Sequence, residues 1–294
     1  MKTTNKLMLG LCVPAALIAS QTAFAAKITQ WSYETEVGFT NTTGSGVTAE
    51  TFNTQQPNFV LLANGNTVVN PAAKLATTLS WGIPATASGK SKFRLSDTGG
   101  VSTSGKIKGS AITDGAFVED VSLFHNNFRI FTGSGLTGTT IVGSLLLDAV
   151  VPDTVDFFGP LTGLFNLVFK ETNNGGEGSL GGLCADGSAK PCPDIFVLTN
   201  AGALGPQVLG TIMGFEYTLN LAIAGLTPVG DQGCALVGQL AGCVGFITPE
   251  DGVGQLDVSF NITTKNNNVP EPGMLALLGL GLAGLGFSQA RRRK

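Results

Sequence analysis

The stretch ITQWSYETEVGFT, residues 28–40, decides the fold. Its side chains alternate between apolar and polar, which places the two kinds on opposite faces of an extended chain. The apolar face carries Trp31, Tyr33, Val37 and Phe39, and the polar face carries Gln30, Ser32, Glu34 and Glu36. Because a period of two residues is typical of a half-buried β-strand, we predict a strand here.

The same alternation recurs along the rest of the chain. It is found in Thr139–Val151, Phe165–Thr172, Asp194–Thr199, Phe215–Leu226 and Gln255–Thr264. Glycine-rich clusters such as TGSG at 43–46 and NNGG at 173–176 lie between such segments and favour turns. Glycine supplies 41 of the 294 residues, which argues against a helical bundle. The pattern predicts an all-β fold: one β-sandwich-like domain with Gly-rich loops over residues 26–265.

The charge balance limits the partners of this domain. The whole chain has a net charge of −3, but six of its basic residues lie at the two ends. Residues 26–269 contain 11 basic and 19 acidic side chains, which leaves a net charge of −8. An acidic body disfavours binding to nucleic acid, so we expect no nucleic-acid partner.

The first 25 residues have the features of a secretory signal peptide. Lys2 and Lys6 precede an apolar stretch from residue 7 to residue 19. Ala23 and Ala25 then form a small-x-small cleavage site. We expect signal peptidase to cut before Ala26, which would export the body through the inner membrane.

The C-terminal segment, 266–294, has three parts. Pro270, Glu271 and Pro272 come first, and an apolar run from residue 274 to residue 287 follows. The last part is the basic cluster Arg291, Arg292, Arg293 and Lys294. Residues 273–290 would span about 27 Å as a helix, close to the hydrocarbon thickness of a bilayer. We predict a short transmembrane helix with its basic end in the cytoplasm.

This three-part pattern resembles the PEP-CTERM sorting signal of Gram-negative bacteria. The resemblance implies recognition by an exosortase, cleavage near Pro-Glu-Pro, and delivery to the cell surface or the extracellular matrix after a transient stay in the inner membrane. Proteins with this signal tend to occur in bacteria that make exopolysaccharide, so we expect the body to contact exopolysaccharide or other envelope components. The signal is an address, and it leaves the activity of the body open.

Four cysteines remain in the body after export to an oxidising compartment. Three pairings of these four are possible. We favour Cys184–Cys192 and Cys234–Cys243, because each pair brackets a short loop that contains Gly or Pro. A zinc site is the alternative, but the spacings are longer than those of Cys-x₂₋₄-Cys sites.

The segment VSLFHNNFRIF, residues 121–131, holds the only histidine of the chain. On a strand, His125, Asn127 and Arg129 would share one face. They could then converge on a backbone carbonyl, a sugar hydroxyl or a cation. The alternative is a structural role, in which His125 and Asn127 satisfy the backbone of neighbouring loops.

The same segment resembles the motif of the Thr-His-x-Asn (THxN) subfamily of PEP-CTERM proteins. His125-Asn126-Asn127 matches His-x-Asn, whereas Phe124 occupies the Thr position. The early WSY at 31–33 and the late CVGFITPE at 243–250 are also similar to that subfamily. The resemblance transfers no activity, because the subfamily has none established.

The sequence shows no set of residues typical of a catalytic site. We therefore expect a non-enzymatic structural or adhesive surface protein without a cofactor. Two alternatives stay open. A carbohydrate-active enzyme would need only two carboxylates, for which the pairs Asp153/Asp156 and Glu250/Asp251 are candidates. A module that binds Ca²⁺ or a small ligand would use similar oxygen ligands, but no EF-hand pattern is present.

Overall fold

The structure is a computed structural model. It describes residues 26–51, 60–63, 66–69, 75–97, 106–131, 135–153, 158–172, 184, 191–267, 279 and 281–282.

The described residues form eighteen strands and two short helices. The first nine strands are β1 (Gln30–Gly44), β2 (Thr48–Thr51), β3 (Val60–Ala63), β4 (Asn66–Val69), β5 (Ala76–Trp81), β6 (Ile83–Pro84), β7 (Ser91–Asp97), β8 (Lys106–Ile112) and β9 (Val118–Asn126). The other nine are β10 (Ile130–Phe131), β11 (Leu136–Val151), β12 (Phe158–Lys170), β13 (Asp194–Leu198), β14 (Gln207–Ile212), β15 (Phe215–Ala224), β16 (Thr227–Pro228), β17 (Val244–Thr248) and β18 (Val253–Asn266). The helices are a 3₁₀ turn at Ala201–Leu204 and α1 (Asp231–Leu236).

Fourteen of these strands belong to one sheet, and the strand pairs in it are antiparallel. Its order is β14-β15-β18-β9-β7-β5-β1-β11-β12-β13-β17-β16, with β2 on β5 and β8 on β1. We call the part from β14 to β5 half-sheet I and the part from β1 to β16 half-sheet II. The pairs β3–β4 and β6–β10 form two small additional sheets.

The two half-sheets join at one point on β1. One edge of β1 pairs with β11 along nearly its whole length. The other edge pairs with β8 up to Glu36 and then contacts β5 through the single pair Phe39–Ala76. At this junction the sheet curls, so that the inner faces of the two half-sheets pack against each other. The all-β prediction is confirmed, and the sandwich-like arrangement arises from one curled sheet.

The first alternating segment forms β1 as predicted. Trp31, Tyr33, Val37 and Phe39 are all buried, whereas the polar positions between them are mostly half-buried. Val37 and Phe39 enter an aromatic core that extends to β5, β7, β12, β13 and β17. Trp31 and Tyr33 enter a second core with Tyr217 and Phe260. One strand therefore contributes to both of these cores.

The predicted cysteine pairing is confirmed. Cys184 bonds to Cys192, and Cys234 bonds to Cys243. The second bond ties α1 to the chain entering β17. All four cysteines of the body are used in disulfides, so the zinc alternative is wrong.

The two predicted targeting segments lie largely outside the described residues. This holds for the signal peptide with Ala23 and Ala25, and for nearly all of the segment 266–294. In the portion of the chain that the structure covers, no helix has the length and apolar character needed to cross a bilayer. The boundaries 1–25, 26–265 and 266–294 stay predictions.

Candidate functional site: a buried acid and histidine cluster

The predicted trio His125, Asn127 and Arg129 is divided between the interior and the surface. His125 and Asn127 are fully buried, at the end of β9 and just beyond it. Arg129 lies on the surface, where its Nε is 2.9 Å from Oδ2 of Asp251. The expectation that all three share one strand face is therefore wrong for Arg129. The physical reason is that β9 ends at Asn126, so the alternation of faces does not continue to residue 129.

Aromatic rings enclose the imidazole of His125. The ring is stacked on Trp81, with centroids 5.7 Å apart and an interplanar angle of 20°. It meets Phe93 and Phe169 edge to face at 4.8 Å and 5.2 Å. Burial lowers the pKa of His125 to about 3, so the ring is neutral at physiological pH.

A glycine provides part of the space for this arrangement. Gly254 lies opposite His125 on the neighbouring strand β18. A Cβ atom at Gly254 would collide with Oγ1 of Thr248 and with the ring of Phe246. The missing side chain thus allows β17 to pack closely against this part of half-sheet I.

Two acidic side chains lie beside the histidine. Oδ2 of Asp194 is 3.7 Å from Nε2 of His125, and the backbone N–H of Thr172 donates to Oδ1 of Asp194 at 2.8 Å. The indole N–H of Trp81 donates to Oε2 of Glu171 at 2.6 Å. Glu171 directly follows β12 and Asp194 begins β13, and the antiparallel pairing of these two strands of half-sheet II brings the acids to the same end of the sheet.

The two carboxyl groups titrate as a linked pair. The protonation of each affects the pKa of the other. Burial raises the pKa of Glu171 to about 7. Burial, and next the charge of Glu171, hold the pKa of Asp194 well above its usual range. Two carboxylates in contact cannot both ionise cheaply in a buried site, so the pair carries one proton near neutral pH.

A third acid lies at the rim. The pKa of the half-buried Glu250 is raised to about 7 by burial and next by the charge of Asp251, although Arg129 acts to lower it. The charge of Glu250 in turn raises the pKa of both Glu171 and Asp194. Arg129 therefore affects the buried acids only indirectly, through the protonation of Glu250 at the rim. We call His125, Asn127, Glu171, Asp194 and Glu250 the acid–histidine cluster.

Asn127 has a structural hydrogen bond, as the alternative interpretation anticipated for it. Its side-chain amide donates to the carbonyl of Thr248 at 3.0 Å, and its backbone N–H donates to the carbonyl of Gly252. These contacts fix the loop between β17 and β18. Within the described residues, both ring nitrogens of His125, Oδ1 of Asn127 and Oγ1 of Thr248 are buried without a hydrogen-bond partner. Such atoms usually meet ordered water or a ligand.

The geometry limits the chemistry available to the cluster. Among the described residues, no group of three or more His, Cys, Asp or Glu side chains is arranged to hold a metal ion. The cluster can hold a proton in an enclosed aromatic site. Its acids Glu171 and Asp194 were not among the sequence candidates, although each stands at the boundary of an apolar strand, which is a detectable signal.

Comparison with known proteins identifies the C-terminal segment. The family model of the PEP-CTERM protein-sorting motif matches residues 268–293. The chain carries a PEP-CTERM sorting signal. The match includes Pro270, Glu271 and Pro272 together with Arg291, Arg292 and Arg293. This PEP-CTERM protein is therefore an exosortase-sorted, exported protein that is directed toward the cell surface. No curated protein matches the chain. Membership of the THxN subfamily is not confirmed and stays a prediction.

Proposed function

We propose that this PEP-CTERM protein is a non-enzymatic structural or adhesive component of the cell surface or extracellular matrix, and that it contacts exopolysaccharide. The observation that carries the proposal is the sorting motif at residues 268–293, attached to an acidic all-β body with two disulfides. After cleavage by signal peptidase and transient anchoring in the inner membrane, the exosortase releases the body or attaches it at the surface.

The enclosed state of the acid–histidine cluster supports a non-enzymatic role. His125 is neutral and surrounded by aromatic rings, and Asp194 is almost completely buried. A general acid or base must reach the proton that it transfers, at about 3 Å or through one water. Among the acids of the cluster, Glu250 is the half-buried one at the rim. Asp251 and Arg129 are its charged neighbours there.

An exposed apolar pair supports the polysaccharide contact. Ile83 and Phe131 face each other across the small β6–β10 sheet, and they expose 60% and 58% of their surfaces. Both tryptophans and both tyrosines are buried or nearly so. Exposed apolar side chains that lie together mark surfaces that bind partners, and a phenyl ring can lie flat against the apolar face of a sugar.

A binding experiment tests this proposal. The mature body is passed over immobilised exopolysaccharide from the producing strain, together with the variant Phe131→Ser. We expect the native body to be retained and the variant to lose most of this retention. Val208→Ser is the matched control, because Val208 exposes 65% of its surface on the distant strand β14. Failure of the native body to bind would remove the polysaccharide contact. Equal losses of retention in Phe131→Ser and Val208→Ser would show that the polysaccharide does not bind at the β6–β10 sheet.

A further inference from the structure

A cavity of about 100 Å³ lies between the two half-sheets, away from the acid–histidine cluster. Most of its wall consists of leucine, isoleucine, valine and phenylalanine side chains from both half-sheets. The polar side chains that reach it are those of Thr35, Asp120, Ser144, Thr162 and Gln207. None of the five cluster residues lines it.

Two glycines in direct register create part of this space. Gly143 of β11 pairs with Gly163 of β12, and both line the cavity. A Cβ atom placed on Gly143 would meet no atom within 4 Å. Protein interiors are usually packed as densely as organic crystals, so an unfilled apolar space of this size destabilises the fold. A bound ligand would remove this cost. We call this space the glycine-floored cavity.

Two buried polar side chains lie at the cavity wall. Asp120 and Thr35 both line the cavity, and Oγ1 of Thr35 has no hydrogen-bond partner within the described residues. Burial raises the pKa of Asp120 to about 7, so its carboxyl group is largely uncharged below neutral pH. An uncharged carboxyl can both donate and accept a hydrogen bond.

Part of the cavity wall is accessible to solvent. Leu161 of β12 and Leu221 of β15 line the cavity and are only half-buried, and these strands are not neighbours in the sheet.

We propose that the glycine-floored cavity binds a small uncharged amphiphile, with its apolar part over Gly143 and Gly163 and its hydroxyl or carbonyl group at Asp120 and Thr35. The volume is somewhat smaller than the roughly 150 Å³ of an engineered cavity that binds benzene. The ligand is therefore a compact molecule or the end of a short alkyl chain. The apolar wall excludes ions, because a buried charge without a partner is strongly unfavourable.

Calorimetric titration of the mature body with 1-butanol, 1-hexanol and sodium hexanoate tests this proposal. We expect saturable binding of 1-hexanol with a negative heat-capacity change, weaker binding of 1-butanol, and no binding of hexanoate above neutral pH. The variant Gly143→Leu places a side chain in the cavity and should weaken 1-hexanol binding by about tenfold or more. Gly202→Leu is the control, because an added Cβ at Gly202 also meets nothing but lies outside the cavity.

Two results would overturn the proposal. One is the absence of saturable alkanol binding by the native body. The other is equal binding by the native body and the folded Gly143→Leu variant. A second variant, Thr35→Val, keeps the shape of the side chain and removes its hydroxyl group. It should reduce the preference for 1-hexanol over benzene, and an unchanged preference would exclude Thr35 and Asp120 as the head-group site.

Discussion

Two interior regions of the same curled sheet differ in how they are filled. Around the acid–histidine cluster, large rings such as Trp81, Phe93 and Phe169 contact one another and enclose polar groups. In the glycine-floored cavity, Gly143 leaves apolar space open, since a Cβ atom there would meet no atom within 4 Å. Both regions arise from strands with the same alternating pattern. Alternation therefore decides which residues face inward. The size of the side chains at those positions decides whether the interior is fully packed or leaves space for a ligand.

Removing Trp81, whose ring stacks on His125 of the cluster, should give the largest effect. Trp81 is fully buried, contacts three other rings and donates to Glu171. Trp81→Ala is expected to lower the free energy of unfolding by about 3–5 kcal/mol, measured by urea denaturation. Leu161→Ala at the cavity is the comparison, and it should cost much less because Leu161 is half-buried. Similar losses in the two variants would contradict the difference in packing.

The shared proton predicts a dependence of stability on pH. The pKa of Glu171 is about 7 in the folded protein, against its ordinary value of 4.5. The folded state thus binds the proton more tightly, and this contribution to stability is lost as the pH rises from about 4.5 through about 7. From about pH 5 to about pH 8 we expect the free energy of unfolding to fall by on the order of 2 kcal/mol.

Other groups affect the same profile. Asp120 of the cavity, Asp194 and Glu250 act in the same direction, because burial raises the pKa of each. His125 acts in the opposite direction, but only below pH 6.5, since its folded pKa of about 3 lies under its ordinary value of 6.5. Comparison of Glu171→Gln with Asp120→Asn separates the two regions. Each variant should flatten part of the slope, and a slope unchanged in Glu171→Gln would exclude the shared proton.

Two glycine substitutions test whether the surroundings of the cluster are packed more tightly than the cavity. A Cβ at Gly245, on β17 near the cluster, would overlap the carbonyl of Phe196, so Gly245→Ala should destabilise the protein by about 1–3 kcal/mol. A Cβ at Gly143 meets open space, so Gly143→Ala should stabilise it by about 0.4–1 kcal/mol. Thermal unfolding measures both changes, and shifts of the same sign would show that the two regions are equally packed.

The smallest effect is expected from an exchange of rings at the cluster. His125 packs against aromatic rings, and neither of its nitrogens has a hydrogen-bond partner within the described residues. His125→Phe should therefore change the free energy of unfolding by less than about 1 kcal/mol near neutral pH. A much larger loss in urea denaturation would show that the imidazole binds an internal water or a ligand, and Phe93→Leu serves as a control for ring packing.

Much of the fold could be predicted from the sequence, because the strands and the disulfides depend on residues that lie close together along the chain. The alternation at residues 28–40 gave the inward face of β1, and the short loops gave both disulfides. The site could be predicted only in part. His125 and Asn127 were found by their spacing, whereas Glu171 and Asp194 meet them through the packing of distant strands. Arg129 was misplaced because the end of β9 depends on tertiary contacts that the spacing does not contain.

The central claim is that this chain is an exported precursor whose two ends are removed. Intact-mass spectrometry of the protein from the producing strain, with and without its exosortase, tests it most directly. We predict a mature form that starts at Ala26, contains both disulfides and lacks the basic cluster Arg291–Lys294 only when the exosortase is present. A full-length chain that retains this cluster equally in both strains would contradict the account.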